Sequence, residues 1–101
     1  MKYNKLVRDK IPDIINNKGK VPKTHIASPH EYKSKLNEKL LEEVNEYLKS
    51  ENSEELADIL EVIHSIAKSN NLSKADLEEI RQSKANERGS FEKKIILDET
   101  D

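Results

Sequence analysis

The sequence predicts an all-α domain built around one antiparallel helix hairpin, and three observations carry that reading. Apolar residues recur at helical spacing along two long stretches. Each stretch begins with a recognisable helix start. Only the polar tetrad "SENS" at residues 50–53 separates them, and a connection that short forces neighbouring helices to run antiparallel.

Residues 1–11, "MKYNKLVRDKI", read as an irregular basic arm. Pro12 suits the first turn of a short helix, "PDIINNK", and Gly19 stops it. An extended loop follows, with Val21 turned away from helix by Pro22. Ser28 caps the first hairpin helix, Pro29 takes its first position and Glu31 completes a capping box. That helix runs to about Lys49 with Leu36, Leu40, Val44, Tyr47 and Leu48 inward. Asn52 or Ser53 caps the second, which runs to about Ser69 with Leu56, Ile59, Leu60, Ile63, Ile66 and Ala67 inward. Ser73 and Asp76 start a fourth helix that Gly89 stops. The tail "SFEKKIIL" reads as an extended apolar run, with a strand as its expected form and Phe91 as its core anchor.

A length of 101 residues fits one domain over residues 1–101. Charged residues make up 38% and hydrophobic ones 34%, with one Phe and no Trp, so core material is scarce. A second copy is expected to complete the apolar surface. The net charge of −2 gives no pull toward nucleic acid or anionic membrane. No cysteine is present, which excludes disulfides and thiolate metal sites. Neither a signal-peptide core nor a spanning run is visible, so the expected location is the cytoplasm.

Four acids crowd the apolar seam. On a wheel of about 100° per residue, Glu43 falls about 20° and Glu46 about 80° outside the Leu36 edge of the apolar arc. Glu55 falls inside the arc of the second helix, and Asp58 lies just beyond Val62. The antiparallel turn sets the first pair opposite the second. Unpaired charges converging away from water are expensive, and a hard divalent cation with oxygen ligands, Mg²⁺ or Mn²⁺, removes the penalty. The plain alternative is a solvated face with i,i+4 ion pairs to Lys39 and Lys49. Glu42, Glu54 and Glu61 read as solvent-facing, and the three histidines form no site.

The E-x-x-E of Glu43 and Glu46, followed by the E-x-x-D of Glu55 and Asp58 within "EELADILEV", resembles the all-α nucleoside triphosphate pyrophosphohydrolase superfamily. That group includes MazG, the dimeric dUTPases and phosphoribosyl-ATP pyrophosphohydrolase. The flanking "YNKLVRDKIPDII" and "RGSFEKKIIL" look like a small MazG-related subfamily, so the resemblance spans almost the whole chain. It implies Mg²⁺ held by Glu43, Glu46, Glu55 and Asp58, and hydrolysis of a nucleotide to its monophosphate and pyrophosphate. It also implies a homodimer or homotetramer whose hairpins pair into a four-helix bundle. The gap at residues 47–54 is shorter than in many members.

Splitting a triphosphate needs neutralised charge and an oriented water. Glu46 and Glu43 are the candidates to accept the water's proton, and basic residues must hold the outer phosphates. Arg8 and Arg88 rank first for that task because guanidinium forks fit phosphate; Lys5, Lys10 and Lys84 follow. Asn86 and Phe91 are candidates to touch the base. The expected activity is a housekeeping nucleotide pyrophosphohydrolase. Phosphoribosyl-ATP hydrolysis and a non-catalytic dimerisation or regulatory module are the alternatives.

Overall fold

A computed structural model describes residues 3–101, and all of its regular structure is helical. Four helices follow in order: α1 (Ile11–Asn17), α2 (Pro29–Ser50), α3 (Ser53–Ser69) and α4 (Lys74–Arg88). No strand occurs among the described residues, so the strand expected in the tail does not form. The run "IIL" instead follows a turn closed by Lys94 N–H donating to the Phe91 carbonyl at 3.3 Å.

Local chemistry sets the helix boundaries. Ser28 Oγ accepts from Glu31 N–H at 3.2 Å and starts α2. The Glu31 carboxylate does not close the box, because His25 Nε2 sits 3.0 Å from both of its oxygens. Glu51 ends α2 in the left-handed region at φ 53°, and Asn52, not Ser53, caps α3. The complete reciprocal box is at α4, where Ser73 Oγ accepts from Asp76 N–H at 3.0 Å and Asp76 accepts from Ser73 N–H at 3.1 Å.

The α2–α3 hairpin is the body of the molecule, and α4 packs against α3 without reaching α2. Leu36, Val62 and Ala67 are the buried apolar residues among the described ones. Leu40, Val44, Tyr47, Ile59, Ile63 and Ile66 are half-buried, as the periodicity requires. Leu48, Leu56 and Leu60, expected inside, are exposed together with Leu41. A turn of about 100° per residue sets these four leucines on the side of the hairpin away from Leu36 and Val62. Phe91, expected to anchor the tail, is 98% exposed.

The reason is that one chain has no second layer to cover that side. The chain exposes 9404 Å², where a compact monomer of its size exposes about 5,800 Å². Its radius of gyration is 17.8 Å, where about 13 Å is usual for this length. No helix among the described residues is long and apolar enough to cross a membrane.

Candidate metal centre

The hairpin turn sets the geometry of the acids. Glu51 N–H donates to the Tyr47 carbonyl at 2.7 Å, which folds the chain back directly after α2. Asn52 Oδ1 then accepts from Glu54 N–H at 3.0 Å, so Glu55 lands in the first turn of α3 and Asp58 one turn later. The free N–H groups of a helix start favour negative charge, which eases the placement of Glu55. Glu43 lies on α2, seven residues before that helix ends at Ser50.

Three of the four predicted acids converge. One carboxylate oxygen from each of Glu43, Glu55 and Asp58 lies within 4.8 Å of the other two. The Glu43 side chain is only 12% exposed, while Glu55 and Asp58 are half-buried. Glu46 is exposed and outside this group, as its larger angle from the seam requires. Its charge still bears on Glu55.

The cluster carries an electrostatic load that differs from acid to acid. Lys39 Nζ lies 3.2 Å from Glu43 and 3.5 Å from Glu42. Arg8 Nη2 donates to Asp58 Oδ1 at 2.6 Å. Glu55 has no ion-pair partner among the described residues. Its carboxyl is held above the usual carboxylate range by partial burial first, then by the negative charges of Asp58 and Glu43 and a hydrogen bond with Glu43. Glu42 behaves oppositely. Partial burial would raise it, but the Lys5 hydrogen bond and the charges of Lys39 and Lys5 pull it below its ordinary value.

The basic arm supplies the other side of the site. Lys5 Nζ lies 3.1 Å from Glu42, and Lys35 Nζ donates to the Asn4 carbonyl at 2.7 Å. Leu6, Val7, Ile11 and Ile14 line a cleft of about 380 Å³ against Leu36 and Val62, with Arg8, Lys10, Lys39 and Glu43 also in its wall. Arg8 therefore stands on a clustered acid, Lys10 shares the cleft wall with Glu43, and Lys5 pairs with the neighbouring Glu42. Lys84 and Arg88 do none of these, because the helix that carries them touches only α3. Asn86 and Phe91 lie on the same distal segment. No family model, no curated protein and no solved structure matches this chain.

The donor set decides what such a site can hold. Three carboxylates offer hard oxygen ligands and a formal charge of about −3, which suits Mg²⁺ or Mn²⁺ and not a soft metal. Arg8 and Lys39 already occupy two of the three acids as protein cations, so the group has an affinity for positive charge that the chain itself only partly meets. On sequence alone Lys39 is a partner on a plain helical face. Its spacing four residues before Glu43 was the available signal that it belongs to the centre.

Proposed function

We propose that the chain is a divalent-metal-dependent nucleotide pyrophosphohydrolase that cuts between the α- and β-phosphates of a nucleoside triphosphate. The single observation that carries the reading is the convergence of Glu43, Glu55 and Asp58 across the hairpin turn, with Glu55 left uncompensated. The E-x-x-E and E-x-x-D resemblance supplies the reaction class. Glu43, Glu55 and Asp58 would hold Mg²⁺ or Mn²⁺; Glu46, expected as a fourth ligand, lies outside their group. When bound, the ion neutralises phosphate charge and acidifies water.

The chain's own residues do the rest. Arg8, with its fork of donors, takes non-bridging phosphate oxygens, and Lys5 and Lys10 add charge on the arm side. Glu46, exposed and three residues beyond Glu43, would accept the proton of the attacking water. Glu43 is less suited to that task because Lys39 Nζ already pairs with it at 3.2 Å.

The active form is a homodimer or homotetramer. Four exposed leucines on one side of the hairpin support that reading. Leu41, Leu48, Leu56 and Leu60 are the residues a second hairpin would cover to make a four-helix bundle.

A non-catalytic dimerisation module is the second reading, and one observation favours it. Two of the three clustered acids already have protein cations as partners. A panel of nucleoside triphosphates and phosphoribosyl-ATP, assayed for pyrophosphate release with Mg²⁺, separates the two. Release from at least one substrate, abolished by chelation, is expected. No release from any of them, together with no rise in melting temperature on adding Mg²⁺ or Mn²⁺, overturns the enzymatic reading.

A further inference from the structure

Arg8 is placed on Asp58 by more than its own ion pair. The arm is tied down at Asn4 by Lys35, at 2.7 Å, and at Lys5 by Glu42, at 3.1 Å. Its apolar residues Leu6 and Val7 share the cleft wall with Leu36 and Val62. The guanidinium is thus delivered to the acid cluster by the fold of residues 3–10.

Resting on the metal-site reading above, we propose that Arg8 is a built-in counter-ion which a divalent cation displaces from Asp58. An ion held by the three acids would bond an oxygen of Asp58, and Arg8 Nη2 now sits 2.6 Å from Oδ1 of the same carboxylate. Two cations that close together on one carboxylate repel, so each weakens the hold of the other. By linkage the effect is reciprocal: metal loosens the arm, and a docked arm weakens metal binding.

Arg8 is the cation that exchanges, not Lys39. Lys39 sits within α2, is 18% exposed and is shared between Glu42 and Glu43. Arg8 belongs to an irregular segment and is 56% exposed, so it leaves without unpacking a helix. Once released, its planar fork fits a phosphate as well as it fits a carboxylate. Arg8 therefore neutralises Asp58 in the metal-free protein and would be free for the substrate's phosphates with metal bound.

The test is a titration of Mn²⁺ alone, without nucleotide, into the full chain and its Arg8→Gln and Arg8→Lys variants at low ionic strength. The half-exposed pair sets the scale: Arg8→Gln should tighten Mn²⁺ binding about two- to fivefold, with Arg8→Lys close to the wild type. The chain has no cysteine, so nitroxides on Asp9→Cys and Ser65→Cys label it uniquely. Their dipolar broadening should fall when Mg²⁺ is added to the otherwise wild-type chain, and should already be low and Mg²⁺-insensitive with Arg8→Gln. Equal or weaker Mn²⁺ binding by Arg8→Gln overturns the counter-ion role while leaving the metal site standing. Unchanged label separation on adding Mg²⁺ to a chain that binds Mn²⁺ overturns it as well. Absence of saturable Mn²⁺ binding in all three proteins overturns the metal site itself.

Discussion

The N-terminal arm and α4 both carry cations toward the hairpin in sequence, yet only the arm reaches its acids. Residues 3–10 set half-buried Leu6 and exposed Val7 in one cleft with Leu36 and Val62, and the charges of Lys5 and Arg8 arrive with them. α4 buries no residue fully, has Leu77 half-buried and Ile80 exposed, and offers only Ala85 beyond them. Its far end, with Lys84 and Arg88, is not drawn back to α2. Apolar burial alone does not separate the two segments, since Leu6 and Leu77 are both half-buried while Val7 and Ile80 are both exposed. The arm adds the pairs of Lys5 with Glu42 and Arg8 with Asp58, and a Lys35 bond to the Asn4 carbonyl, each worth little if exposed.

Glu55 is the acid whose loss should matter most. Glu55→Gln removes a ligand charge with little change in volume, and it should cut Mg²⁺-dependent pyrophosphate release by more than about a hundredfold, since even groups behind a metal's ligands are worth 10–100-fold. Circular dichroism should show the helices unchanged. Retained turnover in this variant would remove the acid side of the hairpin from the account.

The opposite side of the hairpin answers to a different variant. Leu56→Lys places a charge among exposed leucines that a second copy would cover. Losing a buried leucine costs about 1.5–3 kcal/mol, so self-association should weaken at least about tenfold, read by sedimentation against concentration. A chain that sediments as a monomer with or without the substitution would leave the excess surface unexplained.

Next in size is the contrast between the two arginines. Losing a charged hydrogen bond to phosphate costs about 1.5–3 kcal/mol, so Arg8→Ala should raise KM at least about tenfold. Arg88→Ala should change it less than about twofold if α4 stays away from the acids. Equal losses would show that the distal helix serves a site on a second copy, and would redraw the comparison.

The smallest effect is on stability against pH. Glu55 is raised in the folded chain above its ordinary value of 4.5, so folding favours its protonated form. That stability is fully present below the ordinary value and is lost as pH rises through the raised one. The metal-free wild type should therefore melt lower than Glu55→Gln at neutral pH, and the gap should close on acidification. Melting curves taken from about pH 4 to about pH 7 span the carboxylate range and check the sign. A gap that widens toward acid would mean that Glu55 is stabilised in its charged form.

Much of this was legible in the residues. Helix starts at Ser28, Asn52 and Ser73 are local chemistry, and local chemistry survives folding. The opposition of Glu43 to Glu55 and Asp58 followed from one short turn and the helical period. What could not be read was long-range. Leu48, Leu56 and Leu60 have the right spacing for a core, but one hairpin has two apolar sides and a single chain covers only one. Arg8 and Arg88 looked equivalent because nothing in the spacing of α4 reveals how little of it packs. Glu46 missed the cluster for a geometric reason, as it lies further round α2 from the seam than Glu43.

The central claim is that Glu43, Glu55 and Asp58 share one divalent ion. An anomalous difference map from a Mn²⁺-soaked crystal tests it most directly. The account predicts a peak bonded to oxygens of all three carboxylates, with Arg8 moved off Asp58. A map with no peak there, and with Arg8 and Lys39 still the cations on Asp58 and Glu43, would contradict it.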